Sequence, residues 1–122
     1  MRYLSMIRID EQRAKPPSEQ LMQDMGKLIE EMTRSGTLVS TAGLRPTSEG
    51  VRVRLRNGKL STTDGPFTEA KEVIGGFTIM ELPSKEAAIE EARKFMELHR
   101  QLWPSWSGEC EVRLMYGDND HP

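Results

Sequence analysis

The stretch from residue 64 to residue 82 constrains the fold more than any other part of the chain, because a polar turn runs directly into an apolar strand. The turn is Asp64-Gly65-Pro66, in which Asp can bond its own downstream backbone, Gly permits a positive φ and Pro fixes φ at about −65°. From residue 73 to residue 82, apolar side chains occupy both odd and even positions, which is typical of a strand covered on both faces. The sequence therefore predicts a polar loop that leads into a central strand.

A glycine pair, Gly75-Gly76, interrupts this strand. Glycines inside a strand weaken it and usually mark a β-bulge or a place where another backbone or a ligand approaches closely. We favour the bulge, because bulges are common in sheets. A ligand contact at the pair stays open as the alternative.

Two helices are indicated by apolar residues at helical spacing. The first is capped by Ser18 and stops at Gly36. The second is capped by Ser84, runs through Leu102 and is ended by Pro104. Each helix is flanked by predicted strands, at residues 3–9, 37–44, 73–82 and 109–116.

A hairpin is predicted between these two halves, over residues 51–63. Residues 51–56 alternate Val or Leu with Arg, and Asn57-Gly58 is the strongest short signal for a two-residue hairpin turn. The three arginines match the geometry of carboxylate and phosphate groups and could hold an anionic ligand. We favour a solvated strand face that protects a sheet edge.

The order of the elements predicts an α+β fold of the ferredoxin-like split βαβ type with an inserted β-hairpin. Each crossover helix joins two strands that lie parallel to one another. Both helices have one apolar face, so we expect them to cover one face of an antiparallel sheet and to leave the other face to a second subunit. The sequence therefore predicts a homodimer.

Charge and cysteine content exclude several classes of function. Seventeen basic and nineteen acidic residues give a net charge of −2, which provides no field to attract nucleic acid. The single Cys110 has no Cys or His partner at ligand spacing, which favours a reducing, cytoplasmic location and no metal site. No signal-peptide pattern or membrane-spanning stretch is present. We expect no cofactor, no nucleic acid partner and no membrane association.

Three residues at the end of the second helix have two interpretations each. His99 could act as a general base, since its ordinary pKa lies near neutrality, but we favour a partly exposed packing residue. Trp103 and Trp106 suit a subunit contact or a pocket rim. Packing beneath the connection is the interpretation that we favour for the two indoles.

A long motif carries a resemblance to a known family. The chain resembles the DGPF-domain proteins within the YCII-related family, through Asp64-Gly65-Pro66-Phe67-Thr68-Glu69-Ala70-Lys71-Glu72, Gly75-Gly76-Phe77, Thr41-Ala42-Gly43-Leu44 with Pro46, and Glu111-Val112-Arg113. The resemblance implies a ferredoxin-like unit that dimerises into a dimeric α+β barrel. The length of the chain predicts one domain, over residues 1–117, and the last residues, 118–122, are expected to form a flexible tail.

The resemblance does not transfer a mechanism. YCII proteins proper carry a His in the first helix that, with an Asp, is proposed as an active-site pair similar to that of muconolactone isomerases. This chain has no His before His99. That acid–base pair therefore has no counterpart here.

Three functional hypotheses remain. In the first, a cleft between the sheet, the hairpin and the Asp64 loop binds a small anionic molecule and could transform it, with Asp64 as the acid or base and Lys71 or Arg113 holding the anionic group. The second is a non-catalytic regulatory or interaction module, since relatives are often encoded near extracytoplasmic-function sigma factors. In the third, the loop residues only build the fold and its dimer. The candidate ligand-binding residues are Phe67, Glu69, Lys71, Glu72, Gly75, Gly76 and Arg113.

Overall fold

The structure, a computed structural model, describes residues 1–12 and 15–120 of the chain. Its elements in chain order are β1 (Arg2–Ile9), α1 (Glu19–Arg34), β2 (Leu38–Gly43), a 3₁₀ turn (Thr47–Glu49), β3 (Val51–Arg56), β4 (Lys59–Asp64), β5 (Val73–Glu81), α2 (Lys85–Leu102) and β6 (Glu109–Leu114). This order confirms the predicted α+β arrangement. Of the predicted tail over residues 118–122, residues 121 and 122 lie outside the described residues.

The main sheet has four strands in the order β2-β5-β1-β6. Strand β1 is antiparallel to both β5 and β6, and β2 is antiparallel to β5. It follows that β1 and β2 run in the same direction, and so do β5 and β6. Each crossover helix thus joins two parallel, non-adjacent strands, which is the ferredoxin-like arrangement that the sequence predicts.

The helices begin and end where the capping residues are found. The hydroxyl of Ser18 accepts a hydrogen bond from the Leu21 N–H at 3.2 Å, and that of Ser84 accepts one from the Ala87 N–H at 3.1 Å. Each bond satisfies a donor that the first turn of a helix leaves unpaired. Gly36 follows α1 with a φ of 78°, the left-handed conformation that commonly ends a helix.

The hydrophobic core lies between the two helices and one face of the main sheet. Tyr3 and Met80, from the two central strands, pack with Leu28 and Met32 of α1 and Ala88 of α2. All five side chains are buried. The helices therefore cover the sheet face that carries Tyr3 and Met80.

The opposite face of the main sheet also carries apolar residues. Leu4 and Met6 alternate with core positions on β1 and pair with Ile79 and Phe77 on β5, so they point away from the helices. All four are only half-buried. We call the surface formed by Leu4, Met6, Phe77 and Ile79 the open sheet face.

The glycine pair forms a bulge, as predicted. The register between β1 and β5 shifts at this point and leaves Gly75 unpaired. A Cβ on Gly75 would lie 2.8 Å from the Ile9 side chain, and one on Gly76 would lie 3.1 Å from the backbone oxygen of Ala42. The close approach at both positions is to neighbouring strands of the same chain.

The hairpin forms its own two-stranded sheet of β3 and β4. Its turn residues, Asn57 and Gly58, have φ values of 52° and 74°, as a type I′ turn requires. One face carries four apolar residues that are 55 to 74% exposed, which we call the apolar ladder: Val51, Val53, Leu55 and Leu60.

The base of the arginine face of the hairpin is turned inward, contrary to the expectation of a solvated strand face, whereas Arg56 near the tip is exposed. Arg52 and Arg54 are half-buried, whereas every residue of the apolar ladder is exposed. Alternation along a strand defines two faces but does not say which of them contacts the rest of the molecule. The contacts of Arg52 described below decide the orientation.

Candidate functional site

The loop that carries the motif begins with an unusually close packing contact. A Cβ on Gly65 would lie 1.7 Å from the backbone oxygen of Thr47, so only glycine fits against the 3₁₀ turn. The Gly65 N–H also donates to the Gly50 carbonyl at 2.9 Å. These contacts attach the start of the loop to the segment that enters the hairpin.

Two candidate ligand-binding residues, Phe67 and Glu69, hold the hairpin in place. The Arg52 guanidinium lies over the Phe67 ring, 3.8 Å from its centroid, and its Nη1 donates to Glu69 Oε1 at 2.6 Å. The face of the guanidinium thus contacts an aromatic ring, and one of its N–H groups donates to a carboxylate. Arg52 therefore turns the arginine face of β3 toward the loop.

A further carboxylate, Glu11, supports this part of the molecule. It accepts hydrogen bonds from both the N–H, at 2.9 Å, and the hydroxyl of Thr47. The same hydroxyl accepts a bond from the Phe67 N–H at 3.3 Å. Sequence reasoning missed Glu11, because a single acid in a charged loop has no local pattern that separates it from its neighbours.

Asp64, the candidate acid or base, lies at the end of β4 and pairs with Val51. Its side chain is exposed. It is on the same face of the hairpin as the apolar ladder, since residues that pair across an antiparallel sheet share a face. The loop thus brings Asp64 to the hairpin, whereas Lys71 and Glu72 lie in a cleft elsewhere.

That cleft has a volume of about 480 Å³ and is lined by three segments of the chain. These are the end of β1 with the loop after it, the end of the motif loop, and the connection from α2 to β6. We call it the indole cleft, and its main polar and aromatic residues are Asp10, Lys15, Lys71, Glu72, Trp103, Ser105, Trp106, Ser107 and Glu109.

The indoles of the cleft are held by the end of α2. The rings of Trp103 and Trp106 are stacked with centroids 6.0 Å apart, and His99 contacts Trp106 with centroids 4.5 Å apart. A Cβ on Gly108 would lie 2.5 Å from the Trp106 ring, so a glycine is needed for this indole to lie where it does.

His99 is a packing residue, as favoured, but it is buried rather than partly exposed, at 5% exposure. Its Nδ1 lies 2.9 Å from the Phe95 carbonyl oxygen. A carbonyl can only accept, so Nδ1 carries the proton and donates. The ring is thereby fixed behind the two indoles.

The charged residues of the cleft give it both signs. Within residues 1–12 and 15–120, no carboxylate lies within ion-pair distance of Lys15 or Lys71. Both lysines are exposed at the cleft, and so are Glu72 and Glu109. The cleft can therefore offer ammonium donors, carboxylate acceptors and aromatic surface to a bound molecule.

Arg113, another candidate ligand-binding residue, lies away from the cleft on β6 and pairs with Leu4. Its guanidinium donates to Glu111, to which Arg8 also donates at 3.0 Å. The hydrogen bond from Arg113 is the main cause that lowers the pKa of Glu111, with Arg8 adding to it. Arg113 is thus part of a charged group at the border of the open sheet face.

Within the residues that the structure describes, no group of His, Cys, Asp and Glu side chains could hold a metal ion. No helix in the same part of the chain is long and apolar enough to cross a membrane.

Comparison with known proteins finds a family match, a bacterial relative and a designed structure. The YCII-related domain family matches residues 1–98. An uncharacterised protein of Rhizobium meliloti (strain 1021) is 31% identical over 100 residues, which are 82% of this chain and 77% of that protein. The de novo designed protein Foldit4 is 16% identical, with 95% of this chain and 100% of its own chain covered, at a TM-score of 0.46. A likeness of that size carries no argument about function.

Proposed function

The chain belongs to the YCII-related domain family, and on that premise we propose that it binds a small anionic molecule in the indole cleft. The observation that carries this proposal is the meeting of two lysines with two stacked indoles in one concave space. A volume of about 480 Å³ lies within the range of about 300–1,000 Å³ that is usual for small-molecule sites.

The lining suggests what such a ligand contains. Lys15 and Lys71 suit a carboxylate or phosphate group, since an ammonium is a compact charge with three donors. The indole of Trp106 suits a planar or apolar portion. Glu72 suits a donor group such as a hydroxyl or an amine. We propose a small molecule that combines an anionic group with an apolar body.

Catalysis is a further step of this proposal. Asp64 as acid or base is the hypothesis from sequence, and its place at the base of the hairpin separates it from the indole cleft of the same chain. Inside the cleft, Glu72 is the carboxylate that comes from the motif. The proposed function is therefore the binding of a small molecule. Catalysis would require one of these carboxylates to act on the bound molecule.

The assembly belongs to the same proposal. We propose a cytoplasmic homodimer of the DGPF type, in which a second copy covers the open sheet face. Leu4, Met6, Phe77 and Ile79 lie on that face and are only half-buried by their own chain. Covering such a surface is the usual reason for a sheet to have apolar residues on both faces.

A thermal-shift screen of small carboxylates and phosphates tests the binding proposal. We compare Lys71→Met, which removes a cation from the cleft, with Lys59→Met, which removes one from the hairpin tip. Stabilisation by a ligand scales as RT ln(1 + [L]/Kd). We expect a hit to stabilise wild type and Lys59→Met alike and to bind Lys71→Met at least about tenfold more weakly, a difference of about 1.4 kcal/mol.

Asp64→Asn separates the two candidate sites, because Asn keeps the turn chemistry of Asp and removes only the charge. We expect this variant to bind the ligand like wild type. If binding is lost in Asp64→Asn and kept in Lys71→Met, the site lies at the hairpin base and the cleft assignment is wrong.

A non-catalytic interaction module is the second candidate, and the apolar ladder favours it. Exposed apolar side chains in a row often mark a surface that binds another protein. Association with extracytoplasmic-function sigma factors is one form of this candidate. Its test is a binding measurement with a purified sigma factor of that class. The sigma factor should bind wild type and should bind a ladder variant more weakly.

A further inference from the structure

The exposed apolar ladder of the hairpin is the feature that neither the fold nor the cleft accounts for. We propose that the ladder is part of the homodimer interface, so that the second copy that covers the open sheet face covers the ladder as well. This inference rests on the homodimer of the proposed function and adds the hairpin to it.

The outward display of the ladder is imposed by specific contacts. In water, a hairpin with one apolar and one arginine face would be expected to turn the apolar face toward the protein. Here Arg52 stacks on Phe67 and pairs with Glu69, so the arginine face is held inward. Leu55 and Leu60, which pair with each other across the hairpin, are left 70% and 74% exposed.

The chemistry of the ladder favours a protein surface as its occupant. Its four members are uncharged, whereas the other face of the hairpin carries Arg52, Arg54, Arg56 and Lys59. A polyanion would be attracted to the arginine face. The core of a protein interface is instead depleted of charge and rich in apolar contact.

The area of the ladder indicates that its occupant also covers a second surface. Four Val and Leu side chains that are about two-thirds exposed offer roughly 200 to 300 Å² of apolar surface. A stable protein pair buries about 800 Å² on each partner. A partner seated on the ladder must therefore extend over more of this chain, and the open sheet face is an apolar surface that the helices leave uncovered.

A second copy of this chain, related by two-fold symmetry, is the partner that we propose for both apolar surfaces. In a two-fold symmetric dimer, each surface patch of one copy contacts a patch of the other, and every contact occurs twice. Each copy has one ladder and one open sheet face. The proposal therefore assigns the ladder and the open sheet face of both copies to a single two-fold interface.

The test compares two cross-strand pairs on opposite faces of the hairpin. Leu55→Gln/Leu60→Gln removes two members of the ladder, and Arg56→Gln/Lys59→Gln changes the adjacent pair on the other face. All four side chains are exposed. Neither variant should therefore change the stability of the folded monomer. Sedimentation equilibrium over a range of protein concentrations measures the dimer dissociation constant of each.

We expect wild type and Arg56→Gln/Lys59→Gln to be dimers of twice 13.9 kDa, and the ladder variant to have a dissociation constant raised at least tenfold. A ladder variant that dimerises as tightly as wild type overturns the role of the ladder and leaves the homodimer standing. Wild-type protein that is monomeric at micromolar concentration overturns both. Ligand binding is read separately from Lys71→Met, so the cleft assignment survives either result.

Discussion

The main sheet and the hairpin are built alike and oriented differently. Both consist of antiparallel strands, yet Tyr3 and Met80 on the helix-covered face of the main sheet are 3% and 2% exposed, whereas Leu55 and Leu60 on the apolar face of the hairpin are 70% and 74% exposed. In the main sheet these apolar residues meet two helices, and in the hairpin they meet solvent. The direction in which a strand turns its apolar face is set by what contacts its other face, here Phe67 and Glu69.

The sharpest test of this difference truncates one residue in each region. We expect Met80→Ala to lower the free energy of unfolding by about 2–5 kcal/mol, because a buried side chain is lost and a cavity remains. Leu55→Ala should change it by less than about 0.5 kcal/mol in the monomer, because the side chain is exposed. Chemical denaturation at a concentration below the dimer dissociation constant measures both. Equal losses would show that the ladder is covered within a single chain.

A smaller effect is expected at the bulge that lies between β1 and β5. We expect Gly76→Val to lower the free energy of unfolding by more than about 1 kcal/mol, because a Cβ would lie 3.1 Å from the Ala42 backbone oxygen. The control is Gly26→Ala in α1, where, among the described residues, no atom other than the adjoining helix backbone lies within 4 Å of the added Cβ. That control should gain up to about 1 kcal/mol from helix propensity. A melting temperature of Gly76→Val that is equal to or above that of wild type would contradict the assigned packing at Gly76.

The smallest change in stability is expected from releasing the hairpin. Arg52→Ala removes a stacked guanidinium and an ion pair with Glu69, whose side chain is 62% exposed, so we expect a loss below about 1 kcal/mol. The local effect should be larger, with faster amide exchange throughout β3 and β4. Arg56→Ala at the hairpin tip is the control. Unchanged exchange in Arg52→Ala would show that other contacts hold the arginine face inward.

Most of the fold is readable in the sequence because local and global signals agree. Ser18, Ser84 and Gly36 mark the helix ends, and Asn57-Gly58 fixes the hairpin turn. Each of these residues acts within a few positions of itself, so its effect can be read from a short stretch of sequence. The bulge at Gly75 was predictable on the same ground.

The candidate site is less readable because its residues meet only in three dimensions. Lys71 and Glu72 lie in the motif, whereas Asp10 and Lys15 come from the loop after β1. No spacing rule joins these segments. The inward turn of Arg52 was missed for a related reason, since its partners, Phe67 and Glu69, follow it by fifteen residues or more.

The pairing of β1 with β6 has a consequence for the order in which the molecule assembles. Ser5 and Cys110 contact each other across 105 residues, whereas Arg56 and Lys59 pair across a two-residue turn. Contacts between residues distant in sequence form slowly, and a chain leaves the ribosome from its N-terminus. We expect the hairpin to form before β1, the first strand made, pairs with β5 and β6, which both follow the hairpin in the sequence. Pulse-labelled hydrogen exchange during refolding should therefore show protection in β3 and β4 before protection in β1, and simultaneous protection would contradict this order.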